Sequence, residues 1–361
     1  MFVVPTASSG KPNAGGGRAG NRRVRAVTVG TSEPGSLFEE IPSFRKRMQT
    51  HWEKTNPSPE PRPRYLQKLV WGVKWLLGWS RGGRNFGIYP DDTFLVSYPK
   101  SGNTWARFLL ANLIYPREEV SFANLESRIP DVYKDTQREL RRVPRPRILK
   151  SHEYFDPRYK KVIYIVRDPR DVVISYYHFH LKKGIISDGF PLDQYVTRFV
   201  AGELDAYGSW RENVASWLAA RYGTRNFLFL RYEDMLEQTA RELAKMGAFL
   251  GVRCSAEEAE RAASLSSADR MRKLERQEAD AWVNTQKTRK DIPFVRKAKA
   301  GQWQSVLSQA MVAEIETAWG DLMRRLGYSP ITTFASPVPV GDLNATDRFL
   351  PTLRLRDPAF E

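Results

Sequence analysis

The sequence predicts an α/β protein with a parallel sheet covered by helices on both faces, and three observations carry that expectation. Beyond Asp91, short β-rich runs alternate with helical periods, the pattern of strands joined by helical crossovers. The first such junction, Ser97-Tyr98-Pro99-Lys100-Ser101-Gly102-Asn103-Thr104-Trp105, runs a strand into a glycine-containing turn that opens a helix. With 41% hydrophobic and 12% aromatic residues in a chain of 361, there is ample material for a core. That composition excludes a collagen-like, coiled-coil or wholly disordered chain.

Taken in order, residues 1–60 are rich in Gly, Ser, Pro and Arg, with no acidic residue before Glu33. They read as a disordered basic tail that buries too little apolar surface to fold. The same composition is compatible with an organellar transit peptide, or with a true start at Met48. Residues 61–90 read as an amphipathic helix and a linker. From Tyr65 to Trp79, Leu66, Leu69, Val70, Val73 and Leu77 recur at helical spacing, with Trp71, Trp75 and Trp79 on the neighbouring stripe. The helix is expected to dock on the main domain. The alternative is peripheral membrane contact through 65–79, with Lys68, Lys74, Arg81 and Arg84 as a basic rim. The α/β domain follows over 91–330, with strands at Thr93–Tyr98, Arg147–Lys150, Lys161–Val166 and Asn226–Leu230, and helices from about Gly102, Pro169 and Met235. Residues 331–361 read as an irregular C-terminal tail.

Fifty-seven Lys and Arg against forty-one Asp and Glu leave a net charge of +16. This favours polyanionic partners: nucleic acid, an anionic membrane face or a phosphorylated small molecule. One cysteine, Cys254, and four histidines exclude a disulfide framework and a zinc site. The opening residues lack the charged and apolar regions of a secretory signal. The apolar run Val70–Trp79, broken by Lys74, is far short of the roughly 20 residues of a membrane span. A soluble, cytoplasmic protein is expected, with organellar import by the N-terminal segment left open.

The turn at 97–105 presents backbone N–H groups and the positive end of a helix dipole, a phosphate cradle by construction. It is not the triphosphate loop GxxxxGK[ST], because Lys100 precedes Gly102 and Trp105 follows. The string resembles the YPKSGTTW loop of the cytosolic-type sulfotransferases, which use 3′-phosphoadenosine 5′-phosphosulfate (PAPS). The resemblance recurs in order at Ile148-Leu149-Lys150-Ser151-His152, at Val166-Arg167-Asp168 through Ser175-Tyr176-Tyr177-His178-Phe179, at Tyr207-Gly208-Ser209-Trp210, at Tyr232-Glu233-Asp234-Met235, and at Phe294-Val295-Arg296-Lys297-Ala298-Lys299-Ala300-Gly301-Gln302-Trp303. It covers residues from about 92 to 328 and implies a P-loop-like sulfotransferase fold in three layers.

Sulfuryl transfer requires a base for the acceptor proton, positive charge at the transferred group, and a clamp for a bisphosphate. The resemblance implies His152 as base, Lys100 at the bridging oxygen of the leaving group, Lys150 at the sulfuryl oxygens, and Ser175 beside them. It implies a nucleotide site of Lys100, Ser101, Gly102, Asn103, Thr104, Trp105, Arg167, Ser175, Tyr232, Ser266, Arg296, Lys297 and Ala298. Arg167, Ser175, Arg296, Lys297 and Ala298 would hold the 3′-phosphate, Trp105 would stack on adenine, and Tyr232 and Ser266 would reach its edge. Two lysines supply the charge that magnesium supplies in a kinase, so no metal is expected. His178 and His180 read as packing or acceptor-pocket residues, and His51 as a solvated residue of the tail.

Four features depart from the family pattern. Ala268 stands where an aromatic usually completes the adenine stack. Asn103 replaces threonine, and Ala298 replaces glycine. The dimer motif KxxxTVxxxE is absent, its positions reading Gln304, Ser308, Gln309 and Ala313. The acceptor is expected to be a small molecule with a hydroxyl or amine, enclosed by 117–146 and Leu181–Asp193, with Phe155, Tyr176 and Phe179 at an apolar mouth. The competing readings are an ATP-dependent small-molecule kinase, which the missing GK[ST] opposes, and a basic nucleic-acid-binding protein, for which no recognition module appears.

Overall fold

The computed structural model describes residues 73–74, 77, 79–84, 86–282 and 284–332. The tail over 1–60, most of the Tyr65–Trp79 helix and the C-terminal segment from 333 lie outside the described residues.

Four strands form one parallel sheet: β1 (Thr93–Ser97), β2 (Ile148–Ser151), β3 (Lys161–Val166) and β4 (Phe227–Arg231), in spatial order β2-β1-β3-β4. The strands are continuous apolar runs because the sheet is covered on both faces. Their side chains alternate between two cores. Phe94, Val96, Val162, Tyr164 and Val166 face one core, and Leu95, Ile163 and Ile165 face the other. The first face is covered by α4 (Pro169–Lys183), α5 (Leu192–Val200), α6 (Trp210–Arg221) and α12 (Gln309–Arg325), through Val173, Phe199, Trp217 and Trp319. The second is covered by α1 (Asn103–Ile114), α8 (Thr239–Leu250) and α9 (Ala256–Leu265), through Leu109, Met246 and Ala262. The remaining helices are α2 (Leu125–Arg128), α3 (Gln137–Arg142), α7 (Tyr232–Glu237), α10 (Ala268–Glu278) and α11 (Trp303–Val306). The three-layer α/β arrangement expected from the alternation is the one observed.

Local chemistry explains the helix starts. Asp168 caps α4 by accepting from the Arg170 N–H, with Pro169 at the first helical position. Ser209 and Glu212 form a capping box on α6, and Ser255 and Glu258 form another on α9. The helix expected from about Met235 starts at Tyr232 instead, directly from β4, where Glu233 and Asp234 in its first turn complement the dipole. The strand expected from Arg147 begins one residue later. The Arg147 side chain is buried against Asp92 at 2.8 and 2.5 Å. Asp168 pairs with Arg170 at 2.6 Å rather than with its neighbour Arg167.

Candidate active site

The C-terminal ends of β1, β2 and β3 open into a cavity of about 520 Å³, within the range of small-ligand sites. Its floor is the 99–105 turn. Asn103, buried, donates its Nδ2 to the Leu95 carbonyl at 3.1 Å and to Ser97 Oγ at 3.3 Å. This ties the first turn of α1 back to the strand. No side chain caps α1 and none of its first-turn residues is acidic, so its dipole is open to an anion. Lys100 and Gly102 take positive φ, 69° and 95°. A Cβ on Gly102 would sit 2.5 Å from Tyr232 Cδ2. Gly102→Ala is therefore expected to lower Tm and weaken nucleotide binding by roughly tenfold or more, since left-handed strain of about 1–2 kcal/mol adds to a steric clash. Calorimetric unfolding and nucleotide titration check it, and unchanged values would show that the turn relaxes.

The Lys100 ammonium lies over two rings, 4.1 Å from the centroid of Phe179 and 4.6 Å from that of Phe294. Burial, together with the charges of Arg167, Lys183, Lys150 and Arg296, pushes it down to about 7. A lysine held half-charged among cations regains its proton when an anion arrives.

His152 stands at the end of β2. Its Nδ1 is 2.8 Å from the Ser97 carbonyl; a carbonyl only accepts, so Nδ1 carries the proton and Nε2 the lone pair. Burial, reinforced by Lys150 and Lys100, holds its pKa well below the ordinary value. The ring is neutral at pH 7 and placed to accept a proton. Tyr207 packs edge-on against it at 5.5 Å. Lys150, from the same strand, is ion-paired with buried Asp131 at 2.8 Å. Burial opposes the charge on Asp131, but Lys150 outweighs it and keeps the carboxyl below its ordinary range.

Arg167, at the end of β3, donates to the carbonyls of Lys100 and Lys299, both at 3.2 Å, and lies 4.3 Å over the Tyr232 ring. Its Nε is buried without a partner among the described residues. The 294–303 loop closes over it because Asp171 accepts from the N–H groups of Gly301 (2.7 Å) and Trp303 (3.0 Å). That loop brings Arg296, Lys297 and Ala298 to the cavity wall. Burial and Arg167 lower Arg296, the mark of crowded cations. Ala298 adopts φ 49°, so the glycine-to-alanine departure falls on a left-handed position.

Most of the expected residues meet on one wall: Lys100, Gly102, Asn103, Thr104, Trp105, Lys150, His152, Arg167, Ser175, Tyr232, Arg296, Lys297 and Ala298. Two do not. Ser101 has a fully buried side chain off the wall, where the tight turn directs it inward. Ser266 lies behind Trp105, off the wall. Its hydroxyl donates to Ala262 O and accepts from Asn112, and its carbonyl accepts from Trp105 Nε1 at 3.0 Å. Phe155 is not at the mouth either, but packs edge-on against Trp217 at 5.5 Å, while Tyr176 and Phe179 do line it. His178 lies off the wall, and His180 is buried with Nδ1 2.9 Å from Tyr195 OH. The 117–146 segment supplies Asp131, Tyr133 and Lys134. No residue of Leu181–Asp193 reaches the wall; Lys182 acts indirectly, donating to the carbonyls of Arg289 and Ile292 and so setting the approach of the loop that carries Phe294. Tyr207 and Phe294 were visible in the sequence only within the resembling strings, and Asp131 gave no signal there. Among the described residues, no three His, Cys, Asp or Glu side chains gather as around a metal ion, and no helix is long and apolar enough to cross a membrane.

Comparison with known proteins identifies the family. The family model described as the sulfotransferase domain matches residues 90–327. The 3-beta-hydroxysteroid sulfotransferase of Cavia porcellus is 31% identical over 256 residues, covering 68% of this chain and 87% of that protein. Sulfotransferase 1B1 of Canis lupus familiaris is 28% identical over 272 residues, covering 70% and 91%. Among solved structures, mouse sulfotransferase SULT7A1 complexed with 3′-phosphoadenosine 5′-phosphate (PAP) superposes with a TM-score of 0.54 at 25% identity, over 66% of this chain and 86% of that one. Retinol dehydratase shares the fold, with a TM-score of 0.58 at 20% identity over 69% and 85%. The chain belongs to the sulfotransferase family, the enzymes that move a sulfuryl group from PAPS to a small-molecule acceptor.

Proposed function

We propose that His152, Lys100, Lys150, Ser175 and the Arg167–Arg296–Lys297 cluster divide the sulfuryl-transfer reaction among them, with a hydroxyl or amine as the accepting group. The observation that carries this reading is the pairing of a neutral, lone-pair-bearing imidazole with Lys100, Arg296 and Lys297, which face the same cavity with no carboxylate partner among the described residues. The residues fit the nucleotide. The buried Arg167 Nε lacks a partner among the described residues, Lys100 is depressed by burial and by the neighbouring cations, and the uncapped end of α1 faces the same space.

When bound, PAPS supplies an activated sulfuryl group on a bisphosphate leaving group. The end of α1, with Asn103 and Thr104, would take the 5′ side. Arg167, Arg296, Lys297 and Ser175, with the backbone at Ala298, would take the 3′-phosphate, for which a guanidinium fork is suited. Trp105 would stack on adenine and Tyr232, edge-on to Trp105 at 5.7 Å, would reach the base edge, while Ala268 supplies no ring on the other side. Lys100 neutralises charge that grows on the departing oxygen, and its regained proton strengthens that contact as charge develops. Lys150, steadied by Asp131, presents its ammonium to the transferred group. His152 Nε2 accepts the acceptor proton.

A thermal-shift comparison of PAP, ADP and Mg–ATP at equal concentration tests the site without a known acceptor. A ligand held only by the native state stabilises it by RT ln(1 + [L]/Kd). PAP is expected to raise Tm clearly more than ADP. A shift confined to Mg–ATP would instead support a kinase.

A further inference from the structure

The acceptor end of the cavity holds positive charge that the nucleotide does not use. The lining cations are Lys100, Arg107, Lys134, Lys150, Arg167, Arg296 and Lys297. Two of them are closely paired, Arg107 with Glu126 at 2.7 Å and Lys150 with Asp131 at 2.8 Å, whereas Arg167 has only the more distant Asp171 at 3.9 Å, whose oxygens are already bonded to the N–H groups of Gly301 and Trp303. Lys100, Arg167, Arg296 and Lys297 match the about four negative charges of a nucleotide carrying a phosphate monoester and a phosphosulfate. Lys134 is left over.

Lys183 joins it. This residue ends α4, half-buried, with its Nζ 5.6 Å from the Phe179 ring centroid. Burial, then the charges of Lys134 and Lys182, lower it to about 8, while Lys182 itself is ion-paired with Glu275 at 3.5 Å. Among the described residues, neither Lys134 nor Lys183 holds a carboxylate. Lys134 lines the cavity with Tyr133, Tyr176, Phe179, Tyr207 and Phe294, and Lys183 stands off that wall, beside Phe179. Two cationic side chains near one another at the edge of an aromatic chamber favour an incoming negative charge there.

We infer that the acceptor is amphipathic and anionic: an aromatic or apolar body that presents its reacting group to His152 and carries, at its far end, a carboxylate or similar anion held by Lys134, with the charge of Lys183 behind the wall adding to the field. The inference rests on the site reading above and narrows it to a substrate class.

Three phenols that differ only in the far group test it: 3-(4-hydroxyphenyl)propionate, 4-ethylphenol and tyramine, titrated calorimetrically into the full-length enzyme saturated with PAP. The propionate is expected to bind about tenfold or more tightly than 4-ethylphenol, the scale of a charge-assisted contact, with tyramine weakest. Lys134→Gln and Lys183→Gln are each expected to shrink the propionate advantage. Equal affinities, no measurable difference among the three, or tighter binding of the neutral or cationic phenol overturns the inference. A propionate preference unmoved in both variants overturns the assignment to these lysines. Should a variant fail to fold, the wild-type order still decides on the substrate class. The PAP shift is read first: its absence contradicts the nucleotide site itself, whereas a PAP shift without an anion preference counts against the acceptor class alone.

Discussion

Replacing His152 with alanine is expected to lower kcat on the order of 10²-fold or more while leaving the Kd for PAP nearly unchanged, as for the loss of a general base. The Ser97 carbonyl fixes the Nδ1–H tautomer and leaves Nε2 as acceptor. The depressed pKa has a pH consequence with a definite sign. Protonation of His152 would abolish its function as base. Because burial and the charges of Lys150 and Lys100 make protonation harder, the acid limb of kcat should fall below the ordinary histidine value near 6.5, with a plateau through neutrality. A steady-state pH profile with any acceptor that turns over checks both points. An unchanged kcat in the variant, or an acid limb above 6.5 in the wild type, removes His152 from the role of base.

Replacing Arg167 with alanine is expected to weaken PAP binding by roughly 1.5–3 kcal/mol, or about 10- to 150-fold, the scale of hydrogen bonds to a charged group. The guanidinium is held between the Lys100 and Lys299 carbonyls and above Tyr232, with Asp171 at 3.9 Å, so its position is set before any ligand arrives. Arg167→Lys keeps the charge but loses the fork, and should recover only part of the affinity. ADP provides the control. Its binding should change little, because it lacks the 3′-phosphate. Equal losses for PAP and ADP would mean that Arg167 only braces the two loops whose carbonyls it holds.

Much of the architecture was legible from residues alone, because its signals are local. The apolar runs at 93–98, 161–166 and 226–230 gave strands nearly to their observed bounds, and the helix start at Pro169 follows from Asp168 and the proline ring. The run from β4 into α7 was placed late, because Tyr232, Glu233 and Asp234 were not recognised as a first helical turn. The site was legible as a set of strings, four of them at strand ends and two, 207–210 and 294–303, in loops between helices, and most of their residues share one wall.

The sequence by itself determined the fold class and the phosphate-cradling turn, since each depends on residues adjacent in the chain, and it offered His152 as the base through the family resemblance. Only the tertiary structure decided what those residues do to one another. His152 takes its tautomer from Ser97, 55 positions away. Lys150 is neutralised by Asp131 from a different loop. Lys100 lies over Phe179 and Phe294, and the Ser266 carbonyl holds the Trp105 ring. Such pairings are made by loops and crossovers. Loop paths follow from which distant surfaces pack together, and no local spacing of residue types encodes that packing.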